Sequence, residues 1–317
     1  MMSSLDALRK PRALRAGATL AVVSPASTPK GKLVEAGVAH LNSLGYRTVV
    51  GEHALDCGPL YYAGRIEERV RDLHTAFADP AIDGVICTRG GWGSAELLPY
   101  LDAGLIQANA KPFIGYSDHT SLHTWMHNEA GLVTFYGPMV AADFSREDGV
   151  DRASWRHSFE GDDSWSVGVA EGLRVLRGGV ARGRLDGGCI SIFAEGLGTA
   201  YAPRIETETV LFLEDIGTKP YQWDRMLLHL KYSGLLEKVT GIVFGDMGQC
   251  VAAEEQDLLE RAILHALRDF DGPVGIGLRS GHVGARNVTL PLGVSVELDL
   301  AETGNPRMDF LEAAVTV

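Results

Sequence analysis

Short, wholly apolar runs of strand length alternate with amphipathic stretches of helix length through the first 135 residues. Thr19 to Ser24, Arg47 to Val50, Gly84 to Thr88, Pro112 to Gly115 and Gly131 to Phe135 read as strands. Lys32 to Leu44 places Leu33, Val34, Val38, Leu41 and Leu44 at helical spacing and stops at Gly45. Arg65 to Ala78 reads as a second helix, with Arg65, Glu67, Glu68, Arg69 and Arg71 marking its solvated face. Ser94 to Leu101 and Thr120 to Glu129 read as two more. Strands that are apolar throughout suit a sheet covered on both faces. Their alternation with helices predicts βαβ units in a parallel, three-layer α/β domain.

The alternation lapses over residues 141–172, which are rich in acidic, Gly and Ser residues with Trp155 and Trp165 interspersed. That stretch reads as a linker partly packed over a domain junction. Its tryptophans either line a substrate cleft or bury against the fold. A second, smaller mixed α/β domain is expected over residues 173–317. Its strands are Leu173 to Leu176, Ala181 to Leu185, Thr209 to Leu213, Gly241 to Gly245, Val274 to Gly277, Val288 to Leu290 and Val294 to Leu298. Its helices are Cys189 to Ala194, Gln222 to Tyr232 and Glu254 to Arg268. The first domain is expected to span residues 1–140, opening with a polar, Arg-rich, loosely held lead-in over residues 1–17.

At 317 residues, with 45% apolar and 22% charged content, the chain suits one large or two ordinary soluble domains. A net charge of −12 argues against a nucleic-acid or anionic-membrane surface. Cys57, Cys87, Cys189 and Cys250 lack C-x-x-C spacing, so they read as buried thiols and not as a disulfide framework or zinc site. No run approaches the ~20 apolar residues of a membrane span. The first ten residues lack the apolar core of a signal peptide, so a cytoplasmic location is expected.

The richest chemistry lies in Lys111-Pro-Phe-Ile-Gly-Tyr-Ser-Asp-His-Thr120. Ser117 sits between a short strand and a helix, where a sharp turn exposes a hydroxyl and backbone N–H groups point back toward it. The alternative is that Ser117 and Asp118 cap the helix. The last position of G-x-S-x-G is here His119. The turns at Ser24, at Arg89-Gly-Gly-Trp-Gly93 and at Ser117 all follow strands, so they share the carboxyl edge of a parallel sheet, where sites lie. The glycine turn lacks G-x-G-x-x-G and the P-loop Lys, so it suits a peptide N–H donor opposite Ser117 better than a nucleotide. Two N–H groups, from Asp118 and from Gly91 or its neighbour, would then hold an oxyanion.

A serine nucleophile needs a base, and the base an acceptor that orients it. Glu214-Asp215 ends a buried strand, and His282 lies in the glycine-flanked loop Ser280-Gly-His-Val-Gly-Ala-Arg-Asn287. A strand turn and a surface loop are the plain alternatives for these two. His119, His123 and His127 recur at i, i+4, i+8 and could share a metal, though without H-E-x-x-H.

Taken together, Arg89-Gly-Gly-Trp-Gly93, Gly115-Tyr-Ser-Asp118, Leu213-Glu-Asp215, Gly281-His282 and Asn287-Val-Thr-Leu-Pro-Leu-Gly293 resemble the LD-carboxypeptidase family of serine peptidases. That family includes murein tetrapeptide carboxypeptidases and microcin C self-immunity peptidases. The resemblance covers nearly the whole chain. It implies a flavodoxin-like parallel N-terminal domain, a smaller C-terminal domain, a cleft between them and a homodimer. It implies Ser117 as nucleophile, His282 as general base and Glu214 as the residue orienting it, with an oxyanion hole near Gly91 and at Asp118. No metal and no cofactor are expected. The chain departs from the family pattern at Thr218, where Glu is frequent, and at Cys189, where Gly-Gly-Asn-Leu is frequent.

The expected activity is a metal-independent serine carboxypeptidase cleaving an amide between an L- and a D-centre, with terminal D-alanine released from murein tetrapeptide. The partner is a small peptide or peptide conjugate, with no nucleic acid and no membrane. Arg89 and Arg225 are the two candidate cations for the terminal carboxylate. Two alternatives remain. One is a peptidase for peptide–nucleotide or acyl-amino-acid conjugates, with Trp92, Trp155 or Trp165 stacking a base. The other is a non-catalytic ligand-binding member.

Overall fold

The computed structural model describes residues 8–162 and 164–317. The first seven residues of the expected lead-in, and Asp163 in the expected linker, lie outside the described residues. Five strands build the first sheet in chain order: β1 (Thr19–Val23), β2 (Arg47–Val50), β3 (Gly84–Cys87), β4 (Phe113–Gly115) and β5 (Thr134–Tyr136). Between and after them lie α1 (Gly31–Ser43), α2 (Ile66–Ala78), α3 (Ala103–Ala108) and α4 (Thr120–Trp125). These strands pair in parallel in the order β2-β1-β3-β4-β5, which is the flavodoxin-like order.

The expected helix from Ser94 is a 3₁₀ segment, Ser94–Tyr100, because Pro99 inside it has no N–H to continue an α-helical ladder. The expected helix over 120–129 changes pitch: a 3₁₀ turn at Ser117–His119 leads into α4, and a π turn follows at Met126–Ala130. The latter ends on Gly131 at φ 60°, a conformation glycine adopts at little cost.

The stretch 141–172, expected as a linker, carries α5 (Arg152–Glu160) and β6 (Trp165–Gly168). Asp151 caps α5 by accepting the Ser154 N–H (2.8 Å). Trp155 and Phe159 on that helix are buried with Phe135 and Phe144 in the core. Trp165 stacks on Phe310 with ring centroids 4.0 Å apart. Trp155 is buried and Trp165 half-buried, and aromatic packing accounts for both.

The second sheet takes β6, β7 (Arg174–Arg177), β8 (Val180–Cys189), β9 (Thr209–Glu214), β10 (Val239–Gly245), β11 (Val274–Leu278), β13 (Ser295–Asp299) and β14 (Arg307–Phe310) in the order β6-β14-β13-β8-β9-β10-β11-β7. Its middle, β8 to β11, is parallel and its flanks are antiparallel. Helices α6 (Ile190–Glu195), α7 (Pro220–Tyr232) and α8 (Gln256–Ala266) cover one face. Alternation along β9 sends Val210 and Phe212 into the core shared with the first sheet, and Leu211 and Leu213 into the core under these helices. One strand changes allegiance. The run read as Val288 to Leu290 forms β12 (Leu290–Leu292), which pairs antiparallel with β5 and completes the first sheet. Among the described residues, no helix is long and apolar enough to cross a membrane.

Candidate active site

Loops from the carboxyl ends of strands in both sheets meet at one place. On the first sheet, Ser24 Oγ donates to the Ala54 carbonyl (2.6 Å) and shares a hydrogen bond with Thr88 Oγ1 (2.6 Å). Ser27 Oγ accepts the Trp92 N–H (3.1 Å), which ties the loop after β1 to the glycine loop after β3. Arg69 was expected on a solvated face. It is instead 2% exposed, and its guanidinium donates to the carbonyls of Pro25 (3.0 Å) and Gly93 (2.9 Å) and to Glu96 (2.6 Å). Two carbonyls and a carboxylate compensate the buried charge, while Nε has no hydrogen-bond partner among the described residues.

Ser117 follows β4 with φ 67°, in the left-handed region that a residue with a Cβ enters at a cost of roughly 1–3 kcal/mol. A strained strand-to-helix turn of this kind is the backbone that a nucleophile elbow uses. Gly90 lies against it: a Cβ on Gly90 would stand 2.7 Å from Ser117 Cβ and 2.9 Å from its Oγ. The glycine loop can therefore approach the serine only as glycine, and the Gly90–Gly91 peptide follows from that contact. The Asp118 side chain accepts the Ser94 N–H (2.8 Å), fixing the elbow to the turn after the glycine loop. The elbow is also held from the second sheet, because the Cys189 N–H donates to Thr120 Oγ1 (3.0 Å), which donates to the Ser117 carbonyl (2.7 Å).

Glu214 ends β9 and is 1% exposed. It accepts the His282 backbone N–H (2.9 Å), and His282 Nδ1 lies 2.9 Å from its Oε2. A carboxylate only accepts, so Nδ1 carries the proton and Nε2 is left with its lone pair. Burial alone would push the Glu214 carboxyl up, but the charge and hydrogen bonds of His282, with the Tyr136 hydroxyl, outweigh it and hold it below the usual carboxylate range. Burial would pull His282 down, yet the Glu214 charge and hydrogen bond prevail and hold it above the usual histidine range. The two directions agree on an ionised carboxylate beside a basic imidazole.

Tyr136 joins the two halves. Its hydroxyl accepts the Ser117 N–H (3.1 Å) and donates to Glu214 Oε1 (2.5 Å). The His282 ring packs edge-on against Tyr116, the neighbour of Ser117, at 5.2 Å between centroids. Sequence reasoning missed Tyr136, since a tyrosine ending a buried strand looks like core. It missed the brace of the histidine loop as well. Asn287 accepts the Gly281 N–H (3.0 Å) and donates to the Gly281 carbonyl (3.1 Å), closing the loop on itself. Gly281 has φ 89°, and a Cβ there would stand 2.4 Å from Glu214 Cδ, so only glycine fits.

The remaining candidates separate. Arg89 is exposed at the glycine loop, its Nε donating to the Gly90 carbonyl (3.2 Å). Trp92, 38% exposed, lines a cavity of about 320 Å³ beside the elbow with Asp118, Ser121, Phe193, Glu195 and Tyr201. Arg225 is not brought to that cavity: it lies over Tyr221 and lines a neighbouring recess with Gln222 and His229. His119, His123 and His127 do not converge on one point. His123 Nε2 bonds the Gly115 carbonyl (2.9 Å), His127 Nε2 bonds Thr134 Oγ1 (3.0 Å), and His119 is buried edge-on to Phe113. Burial pulls His119 and His123 down to about 3, which keeps both neutral.

A donor-braced carboxylate, an imidazole with a lone pair and a strained serine beside a glycine loop form the kit of serine acyl transfer. Two family models match the chain: the LD-carboxypeptidase N-terminal domain over residues 20–137 and the LD-carboxypeptidase C-terminal domain over residues 182–298. A probable murein peptide carboxypeptidase of Bacillus subtilis is 36% identical, covering 97% of this chain and 95% of its own. A murein tetrapeptide carboxypeptidase of Pseudomonas aeruginosa is 31% identical, covering 88% of this chain and 92% of its own. Among solved structures, an MccF-like protein of Bacillus anthracis superposes with a TM-score of 0.87 at 26% identity, covering 95% of this chain and 99% of its own.

Proposed function

This chain belongs to the LD-carboxypeptidase family, and on that premise we propose that Ser117, His282 and Glu214 hydrolyse the amide before a terminal D-residue, releasing D-alanine from murein tetrapeptide. The observation that carries the reading is the Glu214–His282 pair, anchored at 2.9 Å from two donors and linked through one hydroxyl to the Ser117 backbone. His282 Nε2 takes the Ser117 proton as Oγ attacks the carbonyl carbon. The oxyanion rests on the N–H groups of Asp118 and of Gly91. The tetrahedral intermediate collapses, the C–N bond breaks, and the leaving amine takes the proton from His282. Water then adds to the acyl-enzyme with the same base and frees Ser117.

Arg89 is the cation for the terminal carboxylate, because the cavity beside the elbow is lined by two acids, Asp118 and Glu195, and Arg225 lines a different recess. That acidic cavity takes the rest of the peptide. The reaction belongs in the cytoplasm: Cys57, Cys87, Cys189 and Cys250 are all free thiols, which suits a reducing compartment. The assembly is a homodimer, as the family resemblance implies, and light scattering at several concentrations tests it.

The deciding experiment is mass spectrometry of the purified protein with murein tetrapeptide beside Ser117→Ala. Loss of one D-alanine with the wild type alone is expected. A Ser117→Ala protein that turns over at the wild-type rate would end the mechanism. A second reading rests on Trp92, whose exposed indole at the cavity could stack a nucleobase. Cleavage of an aminoacyl-nucleotide conjugate without release of D-alanine would favour it.

A further inference from the structure

We propose that the amino edge of the first sheet carries a second binding site, one for an oligophosphate chain. A cleft of about 1020 Å³ opens where β1, β2, β3 and β4 begin, at the opposite edge of the sheet from Ser117. Arg9, Lys10, Arg12, Arg15, Arg47 and Lys111 line it. One lining residue in three is a cation, against about one in eleven along a chain whose net charge is −12. The acid that lines it, Asp83, is committed to the Thr19 N–H at 2.7 Å.

The cations divide into two sets. Lys10 is paired with Glu312 (2.5 Å), Arg9 is held by the Gln107 carbonyl (3.0 Å), and Lys111 is held by the carbonyls of Ala76 (2.9 Å) and Asp79 (2.5 Å). Among the described residues, the guanidiniums of Arg12, Arg15 and Arg47 meet no carboxylate within 4.0 Å and make no side-chain hydrogen bond. Like charges gathered in one recess repel, and an anion seated between them removes that cost.

The chemistry selects the anion. Guanidinium forks match pairs of phosphate oxygens, and a cleft of about 1020 Å³ lined by six cations has room and charge for more than one phosphate group. Among the described residues no aromatic side chain lines the cleft, so recognition falls on the phosphate chain itself.

Isothermal titration of the full chain with inorganic triphosphate, at fixed ionic strength, tests this. Saturable one-to-one binding is expected. The combined variant Arg12→Gln, Arg15→Gln, Arg47→Gln should bind roughly tenfold more weakly or worse while keeping the wild-type melting temperature. Absence of saturable binding to the wild type overturns the proposal. So does undiminished binding by the folded variant, or displacement of triphosphate by an equal concentration of sulfate, which would mark an unselective counterion.

Discussion

Ser117 holds a left-handed backbone with a hydroxymethyl side chain, and Glu214 holds a charge in a place almost closed to water. Both positions are costly for folding and useful for chemistry. Ser117→Ala should lower kcat by at least about ten-thousandfold, read by amine release under saturating substrate. The His282 shift fixes the sign of a pH test. Glu214 raises the affinity of His282 for its proton, and the base works only when neutral, so the acid limb of kcat/KM should lie above the ordinary histidine value of 6.5. In Glu214→Gln that charge is gone, so the limb should move to lower pH while kcat falls roughly a thousand- to ten-thousandfold. An acid limb that stays put would remove Glu214 from the role. As candidates, Ser117, Glu214 and His282 were legible in the sequence because each stands in a short glycine-bearing turn after an apolar run. Tyr136 and Arg69 were not. Their partners lie 19 to 78 and 24 to 44 residues away in the chain, and no local pattern announces a hydrogen bond of that reach.

At the scale of elements, turns made by one strand are held in place by atoms from another. Asn287 closes the histidine loop by pairing with both polar groups of Gly281, and Asp143 anchors Arg146 (2.8 Å), whose guanidinium faces the carbonyls of Val283 and Gly284 at 3.4 Å. Asn287→Ala leaves the buried Gly281 N–H without its acceptor, while the Gly281 carbonyl keeps the Val283 N–H (2.9 Å). A loss of about 1–3 kcal/mol in a chemical melt is expected, with kcat falling because His282 is the next residue after Gly281. Tyr136→Phe deletes the hydroxyl between β5 and β9. The Ser117 N–H then loses its acceptor and Glu214 one donor, so kcat should fall about ten- to a hundredfold with KM little changed, measured by steady-state kinetics. A change in KM alone would make Tyr136 a packing residue. The helix after Ser117 shows how far periodicity reaches. Its apolar spacing announced a helix, but the 3₁₀ entry and π exit follow from the elbow geometry and from close packing, which sequence spacing does not encode.

Over the whole molecule, the parallel character of the first sheet was readable from apolar runs separated by helices, because wholly buried strands leave a plain signature. The destination of β12 was not, since three residues, Leu290-Pro-Leu292, fit either sheet and only the tertiary partner decides. A fragment of residues 1–172 keeps β5 but loses the strand that covers its outer edge. It should melt well below the full chain or aggregate through that edge, as circular dichroism and light scattering would show. The chain also emerges from the ribosome in order, and the first sheet waits for a strand made near the end. His282 is synthesised only eight positions ahead of Leu290, so the base and the closing strand arrive almost together. On the proposed mechanism, a nascent polypeptide carries Ser117 through most of translation without its base, and hydrolytic competence awaits the late segment that holds both His282 and β12.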